Sequence, residues 1–240
     1  MHLGDKFLID NRIISDYLLF FVHLIMSLQN VHNAIAQQAG YPLPHSLVLS
    51  FLQEYKRPND KIHELLKKNV LIPLKKGLYI AGPSLEASKP EPYLVANAMY
   101  GPSYISLQTA LSYHGLIPER VHEIASMTTK SSRSFSTPIG TFSYTKLPLP
   151  YYAYGIEQIQ LTPRQRALMA SPEKALCDIV VATSGIVFRS RVQARDYVLE
   201  NLRIDETRLR SLNATMMESW LKKAPKRSSL EMLLNIIATV

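Results

Sequence analysis

Hydrophobic positions in the first third of the chain follow a pattern of short helices and strands. In Asn59–Lys68 the apolar residues Ile62, Leu65 and Leu66 fall within an arc of about 100°, the width of a helix stripe that faces a core. The predicted elements are, in order, helices over Ser46–Glu54 and Asn59–Lys68 and strands over Val70–Leu74 and Leu78–Ala81. Helix, turn, helix and hairpin in this order is the arrangement of a winged helix.

Turn residues separate these elements. The residue before Pro58 is pushed away from helical geometry, so a turn is expected between the two helices. Asn69 can end the second helix in the left-handed conformation. Gly77, at the end of Lys75-Lys76-Gly77, supplies positive φ for a hairpin turn, which carries two cations at its tip.

An apolar run near the N-terminus belongs to a predicted helix over Ile13–Gln38. The run Tyr17–Leu28 is only 12 residues long, whereas about 20 are needed to span a bilayer. No basic segment precedes it as in a secretory signal. We therefore expect a buried amphipathic helix and no membrane association.

The pattern changes after Pro83–Pro92, which is polar, rich in proline and predicted to be a linker. Beyond it we predict helices over Tyr93–Tyr100, Ser106–His114, Ser171–Thr183, Arg191–Asn201, Asp205–Leu221 and Leu230–Ile237, and strands over Val121–Met127, Thr141–Leu147 and Ile156–Leu161. The predicted fold is α+β. An N-terminal winged helix-turn-helix domain with its apolar helix covers 1–83, and a mixed α/β domain with C-terminal helices covers 84–240.

Positive charge is concentrated in the predicted winged helix. The chain has a net charge of +8, and the stretch Glu54–Lys76 holds seven cations and three acids. Such an excess favours a polyanionic partner such as nucleic acid. A solvated surface of a small helical domain, or a protein-docking module, fits the same stretch. Further cations come later in the chain, at Arg189, Arg191, Arg195, Arg203, Arg208, Arg210, Lys222, Lys223, Lys226 and Arg227.

Duplex DNA is the partner we expect for the second helix and the hairpin tip. A helix of this size can enter the major groove while the tip reaches a phosphate strand. The predicted DNA-binding residues are Arg57, Asn59, Lys61, His63, Lys67, Lys68, Lys75 and Lys76. The lysines are expected to contact phosphates, with Asn59, Lys61 or His63 nearest the base edges.

The candidate chemistry of the chain argues against an enzyme. The sequence has no phosphate-binding glycine loop, no paired metal-ligating histidines and no Asp-x-Asp pair, so we predict no cofactor, no metal and no catalytic residue. Lys174 and Asp178 are four residues apart and are expected to form an ordinary ion pair on a helix. The alternative, a nuclease or nucleotidyltransferase-like enzyme whose acids converge only in the fold, stays open. So does a helical interaction module without nucleic acid.

Cys177 is the only cysteine, which excludes a disulfide within the chain and a cysteine-rich zinc site. A single cysteine fits a reducing compartment, and we expect a cytoplasmic protein. Because Cys177 lies in an apolar helical run, it is interpreted as a small buried hydrophobic residue.

Four segments in series resemble one protein family. They are Lys76–Ile80 (KGLYI), Tyr104–Glu119 (YISLQTALSYHGLIPE), Gly140–Tyr144 (GTFSY) and Ala170–Asp178 (ASPEKALCD). In this order they resemble the AbiEi-type antitoxin and transcriptional regulator family, over roughly Gly40–Leu202. No single segment is specific, but the series is. The sequence departs from the family at Asn69, where glycine is frequent, at Cys177, where leucine is common, and in the apolar segment before Asn30.

The resemblance implies a two-domain protein of a type IV toxin–antitoxin system. Its winged helix would bind operator DNA at inverted repeats and repress its own operon. The C-terminal domain would counteract an AbiEii-type nucleotidyltransferase toxin without forming a stable complex with it. Self-association on the DNA stays open. The shared residues themselves are predicted to be structural: Ser106 and Ser171 as helix caps, Gly115 and Gly140 as turn residues, and Ala110, Leu111, Ala175 and Leu176 in packing.

Overall fold

The computed structural model describes residues 29–119 and 121–239. The fold is α+β and ends in helices. The predicted helix Ile13–Gln38 lies largely outside the described residues, which include only its last part, a helix over residues 29–37 (α1). The apolar run Tyr17–Leu28 lies outside them entirely. None of the described helices has the length and apolar character needed to cross a bilayer.

The chain divides into two compact units. The first contains the described residues up to Ile72 together with Tyr79–Lys89, and the second contains Pro73–Leu78 and the described residues from Pro90 onward. The division therefore passes through a hairpin, whose tip is grouped with the second unit.

The first unit has the element order of a winged helix. After α1 come β1 (Leu43–Pro44), α2 (His45–Ser50), α3 (Pro58–Lys67), β2 (Leu71–Lys75) and β3 (Leu78–Ala81). The three strands pair in the order β1-β3-β2. The core of the unit is formed by Val31, Ile35, Ala39, Leu43, Val48, Leu52, Ile62, Leu65, Val70, Leu71, Tyr79 and Ala81.

Two turn residues in this unit have the predicted backbone geometry. Asn69 has φ 53° and ends α3, and Gly77 has φ 78° in the hairpin turn. Gly82 is needed for a different reason, since a Cβ at this position would overlap the carbonyl oxygen of Asn69. The close approach of these two backbone segments requires glycine at position 82.

The second unit is built on a six-stranded mixed sheet. Its helices and strands are α4 (Pro92–Met99), β4 (Ser103–Ile105), α5 (Leu107–Tyr113), β5 (Glu123–Thr128), β6 (Arg133–Thr137), β7 (Gly140–Lys146), β8 (Ile156–Gln160), β9 (Arg166–Ala170), α6 (Pro172–Ala182), α7 (Arg191–Asp196), α8 (Glu206–Arg210), α9 (Ala214–Leu221) and α10 (Arg227–Thr239). The strand order is β6-β7-β5-β4-β9-β8. Helix α5 packs against α6.

Both parallel and antiparallel pairs occur in this sheet. Strand β4 runs antiparallel to β5 and parallel to β9, and β5 runs parallel to β7. The outer strands β6 and β8 are each antiparallel to their neighbours. Helix α6 begins at Ser171, whose hydroxyl accepts a hydrogen bond from the backbone N–H of Lys174, so its predicted role as an N-cap is confirmed.

Several sequence predictions differ from this structure. The segment Asp205–Leu221, predicted as one helix, forms two helices. The side chain of Asn213 accepts a hydrogen bond from the backbone N–H of Met216 and so caps the start of the second helix. Helix α2 ends at Ser50 rather than Glu54. Four of the described strands were not predicted, namely β1, β4, β6 and β9. Strand β4 is only three residues long, and β6 is polar and largely exposed, so neither shows a strong alternating pattern.

Candidate nucleic-acid interface

Helix α3 separates its apolar side from its polar side as predicted. Ile62 and Leu65 are buried in the core, Leu66 is half-buried, and Pro58 occupies the first turn, where its missing N–H costs nothing. The opposite side faces solvent. Packing of the apolar stripe therefore fixes which side chains of α3 can reach a ligand.

Most of the predicted DNA-binding residues are exposed. The exposed set is Arg57, Asn59, His63, Lys67, Lys68 and Lys76. Lys75 is half-buried and Lys61 is buried. Arg57 and Asn59 thus lie at the N-terminal end of α3, His63 lies on its outer side, and Lys67 and Lys68 lie at its C-terminal end. Lys76 lies in the hairpin turn.

Lys61 differs from its predicted placement near the base edges. It is only 8% exposed, because it lies four residues before Leu65 and so shares the inward side of the helix. Its ammonium donates to Glu64 Oε2 at 2.7 Å and lies 5.3 Å from the centre of the Tyr55 ring. A side chain held in this way cannot reach a base in the observed arrangement.

Glu64 is the anionic centre of α3. It accepts from Lys61 and, through Oε1, from Lys68 Nζ at 2.6 Å. These two hydrogen bonds lower the pKa of Glu64 below its ordinary value. At the start of the helix, Arg57 Nε pairs with Asp60 Oδ2 at 2.7 Å. Among the described residues Lys67 forms no ion pair, which leaves its charge uncompensated.

His32 was not predicted as part of this surface, and the positive charges of the surface act on its imidazole. It lies half-buried on α1, and burial together with the positive charges of Lys61 and Lys68 lowers its pKa. Its imidazole is therefore neutral at pH 7. The sequence could not indicate a role for His32, because the role depends on the proximity of α1 to α3 in the folded chain.

The hairpin tip carries Lys75 and Lys76 in the turn that Gly77 permits. Burial lowers the pKa of Lys75, and so do the positive charges of Lys130 and Arg133. All three residues belong to the second unit in the division given above. Sequence reasoning missed Lys130 and Arg133 because they lie more than fifty residues further along the chain.

The second unit contains a buried polar network that the sequence analysis underestimated. Lys174 Nζ donates to Asp178 Oδ1 at 2.8 Å and to the carbonyl oxygen of Tyr151 at 3.2 Å, and neither Lys174 nor Asp178 has any exposed side-chain surface. The hydroxyls of Tyr104 and Ser106 donate to Asp178 Oδ2 at 2.9 and 2.7 Å. This pair is therefore not an ordinary surface ion pair.

Two further features complete the network. The Lys174 ammonium lies 3.3 Å from the centre of the Tyr151 ring, and a Cβ at Gly155 would meet Lys174 Cβ at 2.7 Å. Ser106, predicted as a helix cap, occupies the cap position but makes no capping hydrogen bond, because its hydroxyl is committed to Asp178. The position predicted for Ser106 is therefore correct, but the predicted capping hydrogen bond is not formed by its side chain.

Burial governs the ionisation of the network. It lowers the pKa of Lys174, an effect that the carboxylate of Asp178 opposes, and raises the pKa of Tyr104. Burial also raises the pKa of the Cys177 thiol to about 12, so Cys177 is the buried hydrophobic residue that was predicted. Because these groups are enclosed, the arrangement acts in folding rather than on a ligand.

Groups of three or more histidine, cysteine or acidic side chains suited to a metal ion do not occur over residues 29–119 and 121–239. The candidate site in the first unit is the outer side of α3, and the hairpin tip is a separate cationic segment that is grouped with the second unit. The chemistry of the candidate site is that of exposed ammonium and guanidinium groups, which bind phosphate.

Comparison with known proteins gives a fold likeness. No family model matches the chain, and no curated protein matches it. The crystal structure of the RV2827C protein from Mycobacterium tuberculosis superposes on 88% of this chain and 77% of that chain, with a TM-score of 0.57 and 14% sequence identity. At this identity the likeness shows a shared fold and nothing about function.

Proposed function

We propose that this chain is a DNA-binding transcriptional autorepressor and antitoxin of a type IV toxin–antitoxin system. It binds inverted repeats upstream of its own gene in the cytoplasm. It counteracts an AbiEii-type nucleotidyltransferase toxin without a stable complex. The resemblance of Tyr104–Glu119 and Ala170–Asp178 to the AbiEi-type family supports the antitoxin part.

One observation carries the DNA-binding part of the proposal. In a unit with the element order of a winged helix, the core fixes α3 so that Arg57, His63, Lys67 and Lys68 point outward. A helix in the major groove reads bases with residues near its N-terminus and contacts phosphates with its cations. Asn59 and His63 are therefore the base-reading candidates, whereas Lys67, Lys68 and Lys76 are the phosphate contacts.

Binding of the full chain to its own upstream duplex tests this part. The double variant Lys67→Glu/Lys68→Glu should weaken binding to every duplex sequence by at least ten-fold, because phosphate contacts carry no sequence information. The matched control is Lys222→Glu/Lys223→Glu, which changes the net charge equally at two exposed lysines of the second unit. Equal loss in both variants would mean that only net charge matters and would contradict the role of α3.

Specificity is tested separately with Asn59→Ala and His63→Ala. These variants should lose affinity for the inverted repeats and keep affinity for unrelated duplexes, whereas Lys61→Ala should change stability and leave specificity unaltered. Fluorescence anisotropy with both duplexes measures the ratio of the affinity for the inverted repeats to the affinity for an unrelated duplex. An unchanged ratio in both Asn59→Ala and His63→Ala would contradict base reading by α3.

The antitoxin part needs its own measurement. Co-expression of this chain with an AbiEii-type nucleotidyltransferase toxin should restore growth of the cells, and the Lys67→Glu/Lys68→Glu variant should still restore it while failing to repress its own promoter. Affinity capture of the toxin by the full chain should recover no stable complex. Failure of growth rescue by the wild-type chain would contradict the antitoxin assignment, and metal-dependent turnover of nucleic acid by the purified chain would favour an enzyme.

A further inference from the structure

A cavity of about 520 Å³ lies within the second unit. Its walls come from places that are distant in the sequence: the start of α4, the end of α5, the segment leading into β5 and the start of β7. A cavity of this volume is in the range of those that hold small organic molecules. None of the described residues that line it belongs to the predicted DNA-binding set.

Two tyrosines contribute an aromatic wall to this cavity. The rings of Tyr93 and Tyr113 stand at 80° to each other, with their centres 5.9 Å apart. An edge-to-face pair leaves at least one face of each ring uncovered by its neighbour. Tyr93 is half-buried, whereas 43% of Tyr113 is exposed. The two rings therefore supply the cavity with π-electron surface, which attracts cations.

Glu91 places a negative charge beside these rings. It occupies the position before α4, yet its side chain makes no capping hydrogen bond. Its backbone N–H donates to Gln165 Oε1 at 2.6 Å, which fixes the position of the residue. Over residues 29–119 and 121–239 the Glu91 carboxylate forms no ion pair. Its charge is therefore not neutralised within the described part of the chain.

Electrostatics shows that the carboxylate and the two tyrosines lie close together. Burial raises the pKa of Tyr93, and so do Tyr113 and the negative charge of Glu91. Tyr93 consequently keeps its proton at neutral pH, and Glu91 carries the negative charge of the group. The described lining also includes the exposed His122 but neither lysine nor arginine. The cavity is therefore better suited to an organic cation than to an anion.

Aliphatic side chains form another part of the lining. Four of them are half-buried, namely Val121, Ile124, Ile139 and Leu161. Contact with methylene groups would remove more of their apolar surface from water. The hydroxyl of Thr109, which also lines the cavity, is already engaged, because it donates to the carbonyl oxygen of Glu123 at 3.0 Å. A carbon chain therefore fits this part of the cavity.

We propose that the cavity binds an alkylammonium group, and we term it the amine pocket. The ammonium lies against Glu91 and the rings of Tyr93 and Tyr113, and the carbon chain follows the aliphatic side chains. A carboxylate and aromatic ring faces are the two features that recognise such a cation. The group belongs either to a free aliphatic amine or to a lysine side chain. This inference goes beyond the proposed function and does not rest on it.

Probes of equal chain length test the chemistry of the ligand. Isothermal titration calorimetry of the full chain compares 1,5-diaminopentane with pentane-1,5-diol and glutarate. The diamine should bind at least about ten-fold more tightly than the neutral diol or the dianion, because only the diamine can pair with a carboxylate. A diol or glutarate that binds as tightly as the diamine would overturn the inference.

A further probe distinguishes the two sources of the ammonium group. Nα-acetyl-lysine N-methylamide carries the same ammonium on a lysine side chain between two peptide groups. Tighter binding of this compound than of 1,5-diaminopentane assigns the amine pocket to the lysine side chain of a protein, and the reverse order assigns it to a free amine. Binding of neither compound contradicts the amine pocket altogether.

Substitution of the carboxylate tests where the ammonium binds. Glu91→Gln should weaken binding of 1,5-diaminopentane roughly 10-fold to 100-fold, because a hydrogen bond to a charged group is lost. The matched control is Glu218→Gln, which removes the same charge at an exposed acid of α9 outside the cavity lining and should keep the wild-type affinity. Equal losses in both variants would mean that the amine responds only to net charge, and the amine pocket would be refuted.

Substitution of the exposed ring gives an independent test. Tyr113→Leu should weaken binding of the diamine roughly 2-fold to 30-fold, the range for a lost cation–π contact. Tyr113→Phe keeps the ring and should keep the wild-type affinity. The fluorescence of the buried Trp220 in denaturant verifies that each variant is folded. Wild-type affinity in the folded Tyr113→Leu variant would rule out the aromatic wall as part of the site.

Discussion

Two ion pairs with the same sequence spacing behave differently in the two units. Glu64 and Lys68 on α3 are four residues apart, with 40% and 59% of their side-chain surface exposed. Lys174 and Asp178 on α6 are also four residues apart, and neither has any exposed surface. The N–O distances are similar, at 2.6 and 2.8 Å. The sequence spacing therefore predicts that the two residues form an ion pair, but it does not predict how much that pair contributes to the free energy of unfolding.

The surroundings explain the difference. Around α3 water competes for both charges, so the pair contributes little to stability and its cation is available to a ligand. Around α6 the residues Tyr104, Ser106 and Tyr151 replace water as hydrogen-bonding partners. Breaking such a buried pair leaves an uncompensated charge, which costs far more than the pair itself contributes.

The largest expected effect follows from removing the buried cation. Lys174→Met should lower the free energy of unfolding by about 3–5 kcal/mol, because the Asp178 carboxylate stays buried without its counter-ion. Trp220, the only tryptophan and a buried residue of the same unit, reports unfolding in denaturant by its fluorescence.

Lys68→Met is the matched control for this variant, and it should cost less than about 1 kcal/mol. Lys174→Met/Asp178→Leu should recover part of the lost stability, since an apolar pair needs no counter-ion. Similar losses for Lys174→Met and Lys68→Met would contradict the comparison between the two pairs.

An intermediate effect is expected at Tyr104. Tyr104→Phe removes the hydroxyl that donates to Asp178 Oδ2 and should cost about 1.5–3 kcal/mol, the range for hydrogen bonds to charged groups. Tyr152→Phe, at a half-buried ring 5.0 Å away, is the control and should have little effect. If the two variants lose equal stability in the same fluorescence assay, the Tyr104 hydroxyl is not a supporting donor.

The smallest effect is expected at Glu64, and it depends on pH. Because hydrogen bonds from Lys61 and Lys68 lower the pKa of Glu64 in the folded state, its contribution is complete above the unfolded pKa. That contribution is lost as the pH falls through the lower folded-state value. Glu64→Gln should therefore cost less than about 1 kcal/mol at neutral pH and nothing in strong acid.

Circular dichroism followed in denaturant at several pH values measures this difference, with Glu86→Gln, an exposed acid of the same unit, as the control. A stability difference that grew as the pH fell would have the wrong sign for a lowered pKa.

Local patterns predicted much of the fold. The stripe of Ile62, Leu65 and Leu66 specified the side of α3 that packs, and Asn69 and Gly77 marked its end and the hairpin turn. These predictions hold because each depends on residues within one turn or one hairpin. Strands β4 and β9 were missed because their conformation depends on pairing with distant strands.

The candidate site was predicted in part for the same reason. Arg57, His63, Lys67 and Lys68 are exposed, as the helix pattern indicates, whereas Lys61 is buried at the margin of the apolar stripe. Charge alone did not distinguish Lys61 from Lys67. The DNA-binding and antitoxin roles stay predictions.

The sequence by itself determined the α+β composition of this protein, the orientation of α3 and the location of its positive charge along the chain. Only the tertiary structure decided which charges are neutralised. It enclosed Lys174 and Asp178 with two tyrosines and a serine, and it gathered Lys75, Lys130 and Arg133 in one place. Periodicity reports the environment along a single helix or strand, whereas burial and charge clustering depend on segments that meet only when the chain folds.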